Sequence, residues 1–231
     1  MNKSEKFEKF LESVNLVAYR KKYRPIKLVE MDLPKEIQAI AMLYKVYWAE
    51  KRFIDFESFY KEYLRTHKTD VESFRVKITM CKDCYYRGLP ARIYRTWASL
   101  ITQIHAGYVA ESVFGDGSVT MSVDLDHEGA DFQVIYREKV LNYQVKKNSF
   151  SREIRQSKRI GKQIEGQFID IKYEVPSDDY FVNSKKKDGK YKLPYLRFIQ
   201  NKELKRLPNG FVIFTPYTFM LMKKQIDGII K

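Results

Sequence analysis

Several features that mark common protein classes are missing from this chain of 231 residues. It has only two cysteines, Cys81 and Cys84, too few for the disulfide framework of a small secreted domain. No apolar run reaches the roughly 18 residues that a membrane span requires. The opening segment MNKSEKFEKF lacks the apolar stretch of a signal peptide. We therefore expect a cytoplasmic protein with no membrane association.

Motifs of several large enzyme classes are also missing. The sequence has no P-loop, no glycine fingerprint for dinucleotides, no internal repeat and no Ser/His/Asp set in a strand–turn–helix context. What it does have is 44% hydrophobic and 15% aromatic residues, which is incompatible with a disordered chain. Its length suits one sizeable α/β domain of the α+β kind.

Positive charge is abundant but unevenly distributed. Residues 1–131 carry 21 Lys+Arg and 19 Asp+Glu, a net charge of +2, whereas residues 132–231 carry 22 and 10, a net charge of +12. A basic half of this strength favours a polyanionic partner such as nucleic acid. A solvated basic face without a specific partner is the alternative interpretation.

The candidate catalytic residues lie on two predicted short strands. One strand opens with Asp131, and the other contains Gln144, Val145 and Lys146. Side chains alternate along a strand, so Gln144 and Lys146 share one face while Val145 points into the core. If the strands are neighbours, an acid, an oxygen ligand and an ammonium group converge at one edge of the sheet. Such a set can hold Mg²⁺ against a phosphate and activate a water molecule. It is the arrangement of the PD-(D/E)xK nucleases, with glutamine in place of the second acid.

The first 113 or so residues are predicted to be mostly helical. The last and longest of these helices begins after Pro90 and runs to about Phe114, with apolar residues at three- and four-residue steps. Glu111 near its end is a candidate further metal ligand, since a helix before the first core strand often donates a carboxylate in such nucleases. An exposed helix glutamate is the alternative. We expect residues 1–89 to form a helical region packed on a core of residues 90–231, together one compact unit.

Basic residues downstream of the strands are the candidate DNA contacts. A basic helix is predicted over residues 151–167, and a polar, irregular loop over residues 176–194. The candidate DNA-binding residues are Lys147, Arg152, Arg155, Lys158, Arg159, Lys162, Lys185, Lys186 and Lys187.

Two other features have a weaker claim to chemistry. Cys81 and Cys84 have zinc-like spacing, and His67 or His105 would be needed to help complete a site, but no second Cys-x2-Cys pair exists. We expect ordinary helix thiols and no zinc. His127 lies between two acids in a turn and is a weaker general base than the set around Lys146.

Taken together, these residues resemble the TaqI family of type II restriction endonucleases. The resemblance covers much of the chain, and its motifs are specific as a set. The matching segments are Lys22-Tyr-Arg-Pro-Ile26, Asp32-Leu-Pro34, Tyr47-Trp48, Ile93-Tyr-Arg-Thr96, Leu100-Ile-Thr-Gln103, Gly107-Tyr108, Glu111, Asp126-x4-Asp131, Val145-Lys146-Lys147 and Leu207-Pro-Asn-Gly-Phe211.

The resemblance implies a restriction-endonuclease-like core, a mixed sheet flanked by helices, with a helical N-terminal half. It implies Mg²⁺-dependent cleavage of double-stranded DNA at the palindrome TCGA, with Mn²⁺ able to replace Mg²⁺. Asp131, Gln144 and the Val145 carbonyl would hold the metal, Lys146 would orient the attacking water, and Asp126 would be an auxiliary acid. A two-fold symmetric target implies a homodimer. A restriction–modification system further implies a matching DNA methyltransferase in the host.

One departure from the resemblance concerns Gln144, where a member of the family carries an aspartate. The amide still offers an oxygen ligand but no charge. Two alternatives therefore stay open at this point: a repair or junction-cutting nuclease of the same fold, and a non-enzymatic DNA-binding protein with a decayed site.

Overall fold

The computed structural model describes residues 2–26, 33–148, 164–176 and 178–229. It confirms a mixed α/β protein with a helical N-terminal half and a mixed sheet. The chain divides into two compact units, residues 13–104 and residues 1–12 together with 105–231. The predicted division at residue 90 stays a prediction. Within the described ranges, no helix combines the length and apolar character needed to cross a membrane.

Helices dominate the first half of the chain. They are α1 (Lys3–Ser13), α2 (Leu16–Tyr23), a 3-10 turn (Lys35–Ile37), α3 (Ala39–Leu43) continued by a π-helical segment (Tyr44–Ala49), α4 (Phe56–Lys77) and α5 (Lys82–Phe114). The second half contains β1 (Val119–Thr120), α6 (Val123–His127), β2 (Phe132–Tyr136), β3 (Lys139–Asn148), β4 (Gln167–Glu174), α7 (Asp178–Val182), α8 (Leu193–Gln200), β5 (Leu204–Arg206), β6 (Val212–Phe214) and α9 (Tyr217–Ile226).

The unit of residues 13–104 is built on a buried aromatic cluster. Trp97 of α5 is fully buried and donates a hydrogen bond of 2.8 Å from Nε1 to the hydroxyl of Tyr47. The Tyr47 hydroxyl in turn donates to the carbonyl of Ile54 at 2.6 Å. Phe56, at the start of α4, packs on Trp97 with ring centroids 5.7 Å apart. The polar atoms of these large rings are thus satisfied while their apolar area is removed from water.

The predicted helix start at Pro90 is wrong, because α5 begins at Lys82 and Pro90 lies inside it. A proline inside a helix removes one backbone hydrogen bond and crowds the preceding turn. Its neighbours Tyr85, Leu89, Ala91 and Ile93 are all buried, and that burial offsets the cost. Tertiary packing has here outweighed the local preference of proline for a helix start.

The second unit contains a four-stranded sheet in the order β1-β2-β3-β4. Strands β1, β2 and β3 are antiparallel neighbours, whereas β4 runs parallel to β3. The β2–β3 hairpin turns through Arg137 and Glu138, both with positive φ, as a two-residue hairpin of the favoured twist requires. β5 and β6 form a separate two-stranded antiparallel sheet.

One face of the four-stranded sheet is apolar and packs on helix α9. Phe132 and Tyr143 stack across β2 and β3 with ring centroids 4.9 Å apart, and Phe219 of α9 contacts both rings. Asp227, which follows α9, pairs with Arg137 of the hairpin turn at 3.0 Å. Helix α9 therefore fixes the apolar face and leaves the opposite face of the sheet for polar side chains.

Helix α1 packs against segments that lie far along the chain but in the same unit. Phe7 lies 5.3 Å from Tyr108 between ring centroids, and Glu8 forms an ion pair with Lys205. The amide of Asn209 donates to the carbonyl of Leu11 at 2.6 Å. This unit is thus assembled from residues 1–12 together with residues 105–231.

Candidate active site

The polar face of the sheet brings the predicted residues together along β3. Val145 is buried, and its neighbours Gln144 and Lys146 both lie on the opposite face, as strand alternation requires. In the register with β4, Gln144 pairs with Asp170 and Lys146 with Lys172. The side chains of Gln144, Lys146, Asp170 and Lys172 therefore project from one face of the sheet.

Asp131 lies immediately before β2 and is bound to β3 through both its backbone and its side chain. Its N–H donates to the carbonyl of Tyr143 at 2.8 Å, and its Oδ2 accepts a hydrogen bond from the N–H of Val145 at 2.5 Å. Burial raises the pKa of Asp131 to about 7; the Val145 N–H and Lys146 oppose that shift, while Asp126 adds to it. A cation placed beside this buried carboxyl group would stabilise its charged form.

Asp126 approaches the same end of β2 from helix α6. Ser122 caps this short helix by accepting a hydrogen bond from the N–H of Leu125 at 3.2 Å. Burial raises the pKa of Asp126, which accordingly holds a proton more readily than an exposed aspartate. Two carboxyl groups that repel each other in a largely buried position favour a shared proton or a metal ion.

Lys146 has a partner that the sequence pattern does not indicate. Its Nζ donates to Oδ2 of Asp170 at 2.5 Å, and each side chain is about one third exposed, 33% and 31% respectively. Residues 168–175 alternate in the sequence as a strand does, but nothing in that pattern indicates that the strand lies parallel to β3. The signal for Asp170 therefore appears only once the strand order is known.

The position of β4 depends on Gly166 and Asn142. Gly166 has φ +115°, and a Cβ there would lie 2.5 Å from the carbonyl oxygen of Val140. The side chain of fully buried Asn142 donates to the carbonyl of Glu165 at 3.0 Å and accepts from Gln133 at 2.8 Å. These contacts hold the start of β4 against β3 and so set Asp170 beside Lys146.

Glu111 is buried near the end of α5, with both carboxylate oxygens engaged. Oε2 pairs with Nζ of Lys3 at 3.1 Å, and Oε1 accepts from the N–H of Gly117 at 3.0 Å. These bonds close the loop that follows α5 and give Glu111 a structural role. Its predicted role as a metal ligand stays a prediction.

The lysine-rich segment predicted as an irregular loop is instead an ordered turn. We call residues 184–192 the lysine hairpin. Its strands are joined by the bridge between Lys185 and Tyr191, and the N–H of Lys192 donates to the carbonyl of Ser184 at 2.7 Å. Tyr191 stacks on Tyr195 of α8 at 5.1 Å between ring centroids, which anchors the hairpin. The exposed lysines of the hairpin are Lys185, Lys186, Lys187, Lys190 and Lys192.

The other candidate DNA contacts divide into two groups. Lys147 is exposed and lies on the opposite side of β3 from Lys146. The remaining predicted contacts lie outside the described residues, as does most of the predicted helix over residues 151–167: Arg152, Arg155, Lys158, Arg159 and Lys162.

Cys81 and Cys84 are both exposed free thiols at the start of α5. The Cys84 N–H donates to Sγ of Cys81 at 3.1 Å, and hydrogen bonding from Cys84 lowers the pKa of the Cys81 thiol. His127 ends α6, next to Asp126. The expectation that the chain carries no zinc stays a prediction.

A divalent cation suits the oxygen groups around Asp131. The buried carboxylate of Asp131, the amide oxygen of Gln144 and the backbone carbonyl of Val145 are the hard oxygen ligands that Mg²⁺ and Mn²⁺ prefer. Across the described ranges, no three His, Cys, Asp or Glu side chains form a group able to hold a metal ion. A cation here would thus depend partly on neutral oxygens.

Comparison with known proteins finds sequence similarity over most of the chain. The model of the TaqI restriction endonuclease family matches residues 4–226. The type II restriction enzyme TthHB8I of Thermus thermophilus is 32% identical over 218 residues, which cover 91% of this chain and 82% of that enzyme. The type II restriction enzyme TaqI of Thermus aquaticus gives the same identity and coverage. No solved structure matches the chain significantly.

Proposed function

Because the chain belongs to the TaqI restriction endonuclease family, we propose that it is a type II restriction endonuclease that hydrolyses phosphodiester bonds of double-stranded DNA. By the same resemblance, its proposed target is the palindrome TCGA. The observation that carries the proposal is the hydrogen bond between Asp131 and the Val145 N–H. That bond places a buried acid beside the strand on which Gln144 and Lys146 share a face.

We assign the metal site to Asp131, Gln144 and the Val145 carbonyl. Bound Mg²⁺ would supply charge to the phosphate and lower the pKa of a water molecule. Mn²⁺ has similar oxygen preferences and is expected to replace it. Asp131 is held in place by the Val145 N–H, so it would not need to reorganise when the cation binds.

Lys146 and Asp126 complete the proposed chemistry. The ammonium group of Lys146 orients the attacking water and offsets negative charge that builds on the phosphate oxygens. Asp126 is the auxiliary acid, since burial raises the pKa of its carboxyl group and its charge acts on Asp131. Phosphodiester hydrolysis is slow without a catalyst, so both the cation and the ammonium group are needed for a large acceleration.

DNA binding is assigned to the basic second half of the chain. The lysine hairpin and Lys147 present exposed ammonium groups that suit phosphate oxygens. The residues Arg152, Arg155, Lys158, Arg159 and Lys162 are proposed for the same role on the sequence alone. A palindromic target is matched by a two-fold symmetric homodimer. A methyltransferase of the same host would protect its DNA, and we place the enzyme in the cytoplasm.

The direct test is digestion of a defined plasmid by the purified protein in Mg²⁺, followed by sequencing of the fragment ends. Discrete fragments whose ends share one palindrome support the proposal, and TCGA at those ends supports the specificity. Cleavage confined to junctions or damaged DNA would indicate the repair-type nuclease. Binding without cleavage in both Mg²⁺ and Mn²⁺ would indicate a DNA-binding protein with a decayed site.

A further inference from the structure

Strand β4 places a carboxylate directly beside the position where this site has an amide. Gln144 and Asp170 are register partners in the parallel β3–β4 pair, and partnered residues project from the same face of a sheet. Asp170 thus lies one strand away from the neutral position and at the same level along the sheet.

The site has little negative charge of its own, so a neighbouring carboxylate would strengthen its hold on a cation. Of the two side chains assigned to the cation, Asp131 contributes one negative charge and Gln144 contributes none. A divalent cation is held more strongly as more carboxylates surround it. Asp170 is the group on the polar face of β4 best placed to supply the missing charge.

Lys146 already shows that Asp170 attracts a cation. Its Nζ lies 2.5 Å from Oδ2 of Asp170. Because each side chain is about one third exposed, this ion pair is screened by water and opens readily. A divalent cation carries twice the charge of the ammonium group and competes well for the same oxygens.

We propose that Asp170 is a second carboxylate ligand of the cation site, in place of the acid that Gln144 lacks, and that Lys146 occupies Asp170 until a divalent cation binds. The inference rests on the proposed function. Cation binding frees the ammonium group of Lys146 for the phosphate. The site therefore acquires its ligand and its catalytic lysine in one exchange.

The first test measures Mn²⁺ binding to the purified protein by calorimetry, without DNA. Asp170→Asn keeps the size of the side chain and removes its charge, so the affinity for Mn²⁺ should fall by about tenfold or more. Glu174→Gln is the matched control, since it removes the same charge from the same face of β4, four residues further along. An unchanged affinity in Asp170→Asn, or an equal fall in Glu174→Gln, overturns the inference.

The second test moves the carboxylate back to β3. The double variant Gln144→Asp/Asp170→Asn carries the same net charge as the wild type, with the acid on the other strand of the pair. It should recover most of the Mn²⁺ affinity and the cleavage rate that Asp170→Asn loses. The inference is overturned if the double variant recovers neither the Mn²⁺ affinity nor the cleavage rate while its circular dichroism matches that of the wild type. In that case positions 144 and 170 do not serve one site.

The third test addresses the exchange of Lys146. Lys146→Met removes the competing ammonium group, so Mn²⁺ should bind more tightly than in the wild type. That gain should disappear when Asp170 is already asparagine, because the two effects share one contact. If Lys146→Met raises the Mn²⁺ affinity equally with aspartate and with asparagine at position 170, the gain is a general effect of charge. That result would overturn the proposed exchange of Lys146 for the cation.

The measurements distinguish the role of Asp170 from the nuclease activity of the protein. Wild-type protein that cleaves DNA and binds Mn²⁺ while Asp170→Asn behaves identically overturns the role of Asp170 alone. Wild-type protein that neither binds Mn²⁺ nor cleaves in Mg²⁺ or Mn²⁺ overturns both.

Discussion

The carboxylate of Asp131 and the backbone N–H of Val145 form a hydrogen bond of 2.5 Å that joins the start of β2 to the middle of β3. Val145 lies between Gln144 and Lys146 in β3, so this hydrogen bond holds the carboxylate of Asp131 close to both residues. Burial of Asp131 makes this junction a costly place for a charge unless a cation shares it.

Replacement of Lys146 by alanine should reduce the cleavage rate by about 100-fold or more, since an ammonium group aimed at developing charge would be removed. Binding of DNA should be nearly unchanged, because one exposed lysine contributes little to docking. Single-turnover cleavage and filter binding measure the two effects. Lys147→Ala is the control for the cleavage step alone: its side chain lies on the other side of the strand, so it should weaken DNA binding but keep the single-turnover rate at saturating DNA. Cleavage by Lys146→Ala near the wild-type rate would remove Lys146 from the site.

Replacement of Asp131 by asparagine should abolish Mg²⁺-supported cleavage, because the buried anionic ligand is removed. Without divalent cations, the variant should be at least as stable to urea as the wild type, since it no longer carries a buried charge. Urea unfolding in a chelating buffer measures the stability. A large loss of stability would indicate that Asp131 is needed for folding, and the loss of cleavage would then say nothing about a ligand.

Gly166→Ala should destabilise the protein and misplace β4. The new Cβ would meet the carbonyl oxygen of Val140 at 2.5 Å, and φ +115° adds roughly 1–3 kcal/mol of backbone strain. Gly115→Ala is a close control: its φ is +116°, but nothing lies within 4 Å of its Cβ. Urea unfolding of both variants isolates the contact with Val140, and equal losses of stability would contradict its importance.

The lysine hairpin should contribute to DNA binding through charge alone. Lys185→Ala, Lys186→Ala and Lys187→Ala should each reduce the salt dependence of binding by about 0.9 on a log–log plot, because each removes one ammonium group from a phosphate. The reduction should be similar for cognate and unrelated duplexes, because phosphate contacts carry no sequence information. Lys224→Ala, an exposed lysine of α9, is the control for net charge. An unchanged slope in all three hairpin variants would place the hairpin away from DNA.

Buried His105 should make the protein sensitive to mild acid. Burial, and to a smaller extent the charge of Lys205, lowers the pKa of His105 to about 3. Neither ring nitrogen has a hydrogen-bond partner among the described residues. The folded state keeps the imidazole neutral while the unfolded chain protonates below about pH 6.5. The contribution of His105 to stability is therefore complete above that pH and is lost as the pH falls toward 3.

His105→Leu removes this titration, so its stability relative to the wild type should rise by about 2 kcal/mol between pH 7.5 and pH 5. Urea unfolding at both pH values measures the change. His127→Leu is the control, since its side chain is not fully buried. A stability difference between His105→Leu and wild type that does not vary with pH would show that His105 already titrates normally in the fold.

The parts of the site that depend on strand alternation were predictable from sequence. Gln144, Val145 and Lys146 are consecutive, and the two-residue period alone assigns them to opposite faces of a strand. The pairing of Asp131 with this strand follows from the short hairpin between them. These relationships involve neighbours in the chain, where local preference and final structure agree.

The partners of the site were not predictable in the same way. Asp170 meets Lys146 only because β4 lies parallel to β3, and such pairing is decided by packing after a long connection rather than by a turn. Lys3 reaches Glu111 across 108 positions, with no pattern in either segment to indicate it. Pro90 inside α5 shows the same limit, since buried neighbours rather than local preference set where that helix begins.

The packing of α1 sets an order on how the chain becomes complete during synthesis. Glu8 and Leu11 are synthesised well before two of their partners, Lys205 and Asn209, which follow 197 and 198 residues later. Closing so long a loop is entropically costly and slows folding. The apolar side of α1 can pack early, since Phe7 meets Tyr108, but its polar contacts with Lys205 and Asn209 form only after those residues have been made. A nascent chain that ends before Asn209 therefore lacks the full set of contacts that fix α1 in the unit carrying the polar face of the sheet.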